Sequence, residues 1–138
     1  MWGTPNRVGV MTCALNEAAT LPFVLEPWLA KADAVVYVDT GSTDGTWELV
    51  QDLFARDILA GALIAIRVPC PNFEIWKARQ AALDVLRQKR IHFALKVDAD
   101  DVFYDGGVDA ILTATRKARA RITHLTAMNH ELYQWEAH

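Results

Sequence analysis

No stretch of this 138-residue chain reaches the roughly 18 consecutive apolar residues that a membrane span needs. Met1 to Arg7 holds no long apolar run, so no secretory leader is legible there. Cysteine is scarce. Cys13 and Cys70 make no CxxC and no metal-ligand spacing, which excludes a disulfide scaffold and a zinc site. Two small reduced thiols in a cytoplasmic protein are the expectation. Charge of either sign is also in short supply, with 14 Lys and Arg against 17 Asp and Glu and a formal net charge of −3. That balance gives no electrostatic reason to expect nucleic acid as a partner. The basic run Arg116, Lys117, Arg119 and Arg121 fits a solvated helix face better than a lipid contact. The histidines His92, His124, His130 and His138 show no paired ligand spacing. His130 can reach a site from the last strand as a further metal ligand, and equally fits an ordinary exposed or satisfied histidine. Walker and GxGxxG loops are missing too.

What is present is a hydrophobic content of 52%, ample for one core in one domain. Apolar runs alternate with helical patterns. Strands are expected at Val8 to Ala14, Asp33 to Asp39, Ala62 to Val68, Ile91 to Val97 and Ile122 to Met128. Helices are expected at Ala18 to Ala32, Thr46 to Arg56, Glu74 to Lys89 and about Val108 to Ala120. Asn16 offers a cap to the first, and Pro27 should bend or split it. The βαβαβαβαβ order implies a mostly parallel α/β sheet with helices on both faces. Ligands of such sheets bind beyond the carboxyl ends of the strands. The two most unusual polar clusters lie there, and the sheet should bring them to one rim.

The first cluster is Asp98-Ala99-Asp100-Asp101. Three carboxylates in four residues repel one another, and a hard divalent cation removes that penalty. Mn²⁺ or Mg²⁺ prefers oxygen ligands and leaves further sites to water and to substrate phosphates. A solvated turn with an Asp acting as helix cap explains an isolated Asp-x-Asp equally well. The second cluster is Asp39 to Thr46, DTGSTDGT. Its glycines allow a sharp turn, and Ser42, Thr43 and Asp44 can bond backbone amides. Asp39 can bond a base or ribose, or brace the loop. Arg79 lies on the edge of an apolar helix face and suits a diphosphate, or is a plain surface arginine. Trp76, Tyr133 and Trp135 can stack on a sugar, although packing is the simpler use.

Together these pieces resemble the N-terminal half of a family 2 glycosyltransferase with the GT-A fold. The matching segments are VGVMTCALNEAATL, VVYVDTGSTDGTWELV, FEIWKARQAAL and ALKVDADDVFY, in the family's order, over about Val8 to Asp105. The resemblance implies a nucleoside-diphosphate sugar donor, often a uridine one, and Mn²⁺ or Mg²⁺ bridging Asp100 to the diphosphate. It implies Asp98 near the ribose or the metal's waters, Asp39, Thr40 and Ser42 at the nucleotide, and Arg79 near the diphosphate. The reaction implied is sugar transfer to an acceptor hydroxyl, usually with inversion.

This chain departs from the pattern in several places. Thr40 stands where many members carry a second acid, Gln80 replaces an asparagine, and Leu15 stands where an aromatic often packs on the base. Members usually continue for about another hundred residues. Residues 1–138 are therefore expected to be one domain, truncated, without most of the acceptor-binding half. No catalytic base is named; Glu131 and Glu136 do not match that motif. An exposed sheet edge near the C-terminus is expected to drive self-association. The alternative is a module that binds nucleotide or nucleotide sugar without turnover. A nucleotidyltransferase would need a glycine-rich basic loop where CALNEAAT stands.

Overall fold

A computed structural model describes residues 5–118, 124–127 and 130–134. Six strands and five helices follow in the order β1 (Val8–Ala14), α1 (Leu21–Leu29), β2 (Ala34–Asp39), α2 (Thr46–Leu53), α3 (Ala55–Ala60), β3 (Leu63–Arg67), α4 (Ile75–Gln88), β4 (Phe93–Lys96), α5 (Asp105–Lys117), β5 (His124–Ala127) and β6 (His130–Gln134). They form one sheet ordered β3-β2-β1-β4-β6-β5. The first four strands are parallel. The last two run antiparallel, with β6 against β4 and β5 at the edge. The expected mostly parallel α/β sheet is thus present, completed by a hairpin strand that was not expected. His130–Gln134 carries only Leu132 and Tyr133 as apolar residues, too few for a strand signal.

The inner parallel strands β1, β2 and β4 are buried on both faces and the edge strand β3 only in part, and alternate residues feed two cores. Val8, Val10, Val35, Tyr37, Leu63, Phe93 and Leu95 face α1, α2 and α5. Met11, Val36, Val38 and Ala94 face Ala78, Ala82 and Leu86 of α4. Helix α4 sits close because β1 carries a glycine there. A Cβ on Gly9 would lie 2.7 Å from Leu86 Cδ2. Helices on both faces follow from the two-sided strands, as expected.

Two helical expectations need correction, and a third, that Pro27 bends or splits α1, loses its second option. Helix α1 begins at Leu21, after a turn through Glu17 to Thr20, and Thr20 rather than Asn16 is its N-cap. Asn16 lies four residues earlier and takes a left-handed backbone (φ 55°), outside the extended region typical of an N-cap. Pro27 does not split α1. The carbonyl it deprives of a donor belongs to Phe23, an exposed residue that water can reach. The expected helix from Thr46 to Arg56 breaks at Phe54 into α2 and α3. The break keeps Phe54 and Ile58 against the core and delivers the chain to β3. Among the described residues, no helix is long and apolar enough to cross a membrane.

The order of the parallel strands positions the site. The chain moves outward from β1 to β2 to β3, then returns through α4 to place β4 on the other side of β1. The direction of winding therefore reverses between β1 and β4. The loops beyond those two strands diverge there and leave a crevice.

Candidate functional site

A cleft of about 420 Å³ occupies that crevice. Ala14, Leu15 and Glu17 line it from the end of β1, Thr40 from β2, Cys70, Phe73 and Ile75 from the loop after β3 and the start of α4, and Asp98 to Asp100 from the end of β4. A smaller hollow of about 200 Å³ adjoins it, sharing Cys13, Ile75 and Asp98 and adding Arg79 and Lys96.

The acidic turn is built around its one apolar residue. Ala99 is buried, and its carbonyl accepts a hydrogen bond from the Thr20 hydroxyl at 2.9 Å. The Asp101 N–H closes the turn on the Asp98 carbonyl at 3.0 Å. Pinning Ala99 inward forces its neighbours Asp98 and Asp100 outward, where both are exposed. One carboxylate oxygen from each of Asp98, Asp100 and Asp101 lies within 4.8 Å of the other two. Like charges at that separation repel by about 1 kcal/mol per pair even in water. The Lys96 ammonium, 3.7 Å from Asp98 Oδ1, offsets part of this. The donors are all hard oxygens, open to solvent on one side. Such a set fits a Mg²⁺- or Mn²⁺-type ion that keeps waters or phosphate oxygens as its remaining ligands.

Asp39 sits on the same rim in the opposite environment. Its carboxyl is fully buried. Oδ2 accepts from the Tyr37 hydroxyl at 2.5 Å, and Oδ1 accepts from the amides of Gly41 at 3.0 Å and Ser42 at 2.8 Å. Arg67 Nη2 stands 3.8 Å from Oδ1, its guanidinium 5.1 Å above the Trp47 ring. Burial alone would raise the Asp39 pKa. The Tyr37 hydroxyl and the Ser42 and Gly41 amides outweigh it and hold the carboxyl below its ordinary value. Burial, together with the same bond to Asp39, pushes the Tyr37 phenol up.

The Asp39–Thr46 turn is bolted to the turn after β1. Asn16 Oδ1 accepts from the amides of Thr43 at 2.8 Å and Asp44 at 3.2 Å. In return Ser42 Oγ accepts from the Asn16 amide at 2.9 Å, and Thr46 Oγ1 from the Glu17 amide at 3.1 Å. Asp44 bonds both the hydroxyl and the amide of Thr46. Those bonds, the hydroxyl's first, lower its pKa. Gly41 (φ 125°) and Gly45 (φ 91°) supply the left-handed backbone that this turn requires.

The sequence-predicted residues therefore separate into groups. Thr40, Asp98 and Asp100 line the main cleft, and Arg79 meets Asp98 across the smaller hollow. Asp39 and Ser42 line neither; they brace the loop behind Thr40. The side chains of His124, His130, Glu131 and Tyr133 lie outside the described residues, as do Arg119, Arg121, Trp135, Glu136 and His138.

Sequence reasoning missed Lys96, Glu17, Phe73 and the thiol of Cys13. Lys96 had a signal, because it interrupts an apolar strand two residues before Asp98, on the same face. Continuing the β1–β4 register of Met11 opposite Lys96 puts Asp98 level with Cys13. Burial pushes the Cys13 thiol up to about 11, with the Arg79 guanidinium pulling the other way.

The sequence model of Glycosyl transferase family 2 matches residues 9–136. This chain belongs to that family. Solved structures share its fold. A mannosyltransferase from Pyrobaculum calidifontis, PcManGT, solved with GDP-Man and Mn²⁺, superposes with a TM-score of 0.66 at 17% identity, over 97% of this chain and 48% of its own. S. aureus TarS does so at 0.59 and 20% identity, over 93% and 47%. GalNAc-T7, solved with UDP, GalNAc and Mn²⁺, gives 0.56 and 14%, over 83% and 22%. At these identities the likeness concerns the fold, which is the Rossmann-like GT-A architecture. The family 2 chain described here spans about half the length of the first two. No curated protein matches it.

Proposed function

We propose that residues 1–138 form the donor-binding half of a metal-dependent glycosyltransferase that moves a sugar from a nucleoside diphosphate to an acceptor hydroxyl, with inversion. The observation that carries this reading is the meeting of three carboxylate oxygens within 4.8 Å at the winding reversal, beside a 420 Å³ cleft. Asp98 and Asp100 hold the Mn²⁺ or Mg²⁺, and Asp101 adds charge behind them. When bound, the ion would stabilise the negative charge that develops on the leaving diphosphate. Arg79 and Lys96 add positive charge on the Asp98 side of the cleft. Thr40 and the turn braced by Asp39 and Ser42 form the nucleotide wall. The neighbours solved with GDP-Man or UDP and Mn²⁺ agree with this choice of donor class.

Donor binding without turnover is the second reading. Among the described residues, Glu17 is the one carboxylate lining the main cleft apart from Asp98 and Asp100, and its Oε2 lies 3.2 Å from the Thr20 hydroxyl. No general base is assigned among these residues, so the product test below separates this reading from transfer. The edge position of β5 favours self-association of the chain, which light scattering across a concentration series would measure.

The test of the site is calorimetry with UDP and with GDP, in Mn²⁺ and then in chelator. Asp100→Asn should weaken nucleotide binding at least about tenfold in Mn²⁺ and leave the fold intact. Unchanged affinity would remove Asp100 from the metal role. Product formation from a sugar nucleotide then separates transfer from binding alone.

A further inference from the structure

The cleft lining is chemically divided. Asp98 and Asp100 stand at the β4 end, while Leu15, Phe73 and Ile75 give the rest an apolar character. Phe73 is the unusual member. It is 89% exposed, although phenylalanine is among the residues most often buried. Its backbone is left-handed (φ 59°), a conformation that bulky residues rarely adopt. Exposure and strain both count against this placement, yet the loop enforces it. Pro69 and Pro71 restrict the chain on either side of Cys70. The Phe73 N–H closes a turn on the Cys70 carbonyl at 3.2 Å, and the Ile75 N–H returns to the Phe73 carbonyl at 2.8 Å. The Val68 and Cys70 amides lace the loop to the carbonyls of Asp39 and Thr40 at 2.9 and 3.0 Å. The backbone that carries this aromatic ring is therefore fixed at the cleft, so binding need not order the loop.

We infer that Phe73 is a binding residue that offers its face to the nucleobase of the donor. The inference rests on the donor-binding reading above and deepens it. A nucleoside diphosphate has the same division as the lining, with an anionic end and a flat ring whose faces are apolar. With parallel strands about 4.8 Å apart, β3 and β4 lie on the order of 14 Å from each other. The loop after β3 and the acidic turn after β4 can then engage opposite ends of one ligand. Stacking tolerates any base, so the ring sets affinity for bases as a class, and hydrogen-bonding groups choose among them.

The test compares wild type, Phe73→Ala and Phe73→Tyr by calorimetry in Mn²⁺, with UDP, GDP and pyrophosphate as probes. Phe73→Ala should bind UDP or GDP on the order of tenfold more weakly and pyrophosphate unchanged, and Phe73→Tyr should keep wild-type affinity. Circular dichroism checks that the exposed substitutions leave the fold alone. Equal losses on nucleotide and pyrophosphate would mean that the loop, not the ring, matters, and would overturn the inference. A loss seen with a sugar nucleotide but not with UDP or GDP would reassign the ring to the sugar and overturn it equally. Nucleotide binding by wild type that Phe73→Ala does not change sinks this inference alone. Failure of wild type to bind any of the three probes sinks the donor-binding reading with it.

Discussion

Two aspartate-bearing turns meet at one rim of this sheet, and they use their charge in opposite ways. Asp39 is fully buried, and both of its oxygens are engaged by a phenol, two amides and a nearby guanidinium. Asp98 and Asp100 are exposed, with carboxylates gathered against one another. Inward charge holds a loop in shape; outward charge of one sign costs stability and is tolerable where a cation ligand meets it. Under the proposed function the same residue type serves architecture in one turn and binding in the other, and what differs is the supply of donors around it.

The sharpest way to break this contrast is to remove the inward charge. Asp39→Ala leaves the Tyr37 hydroxyl and the Gly41 and Ser42 amides without their acceptor in a buried place. It should lower stability by about 3 kcal/mol in urea denaturation. A loss below about 0.5 kcal/mol would show that the turn does not depend on that carboxylate. Asn16→Gly tests the bolt between the two turns. Glycine suits the left-handed backbone there, so the loss of the bonds to Thr43 and Asp44 is measured without added strain. About 1 kcal/mol is expected.

Acid should expose the same asymmetry. The folded Asp39 pKa lies below its ordinary value, so the unfolded chain takes up this proton first as pH falls. The stability linked to this group is therefore complete above the unfolded carboxylate range, near pH 4. It is lost as pH falls from there through the folded pKa. Asp44 shifts in the same direction and adds to the slope. Urea midpoints between pH 6 and pH 3 should fall less steeply for Asp39→Asn than for wild type. Parallel slopes would remove Asp39 from the acid response.

The parallel strands were legible because β1, β2 and β4 are buried on both faces and, like the less buried β3, read as near-continuous apolar runs. The acidic turn was legible because three carboxylates in four residues follow directly on an apolar strand. What escaped depends on partners distant in sequence. Asn16 looked like a cap for the helix that follows it, but its acceptors and donors lie 26 to 28 residues away in the second turn. Asp39 could equally have faced a ligand or the loop; only the positions of Tyr37, Gly41 and Ser42 decide that it faces inward. Strand β6 escaped because its polar composition hides a strand whose hydrogen-bonding partners are β4 and β5. Arg79 and Lys96 sit on different elements, α4 and β4, and only the fold brings both to the hollow that Asp98 lines.

The smallest expected effect bears on the outward charge. In chelator, Asp100→Asn removes one member of a repelling set whose side chain is exposed, so nothing buried loses a partner. Stability should stay within about 0.5 kcal/mol of wild type, with any change upward. Adding Mn²⁺ should then raise the wild-type melting temperature and leave that of the variant nearly fixed, because an ion that binds only the folded state stabilises it by mass action. If Asp100→Asn instead destabilises the metal-free protein as Asp39→Ala is expected to, then Asp100 holds the turn together. The two turns would then be one kind of structure, and the acidic cluster would lose its claim to be a binding site.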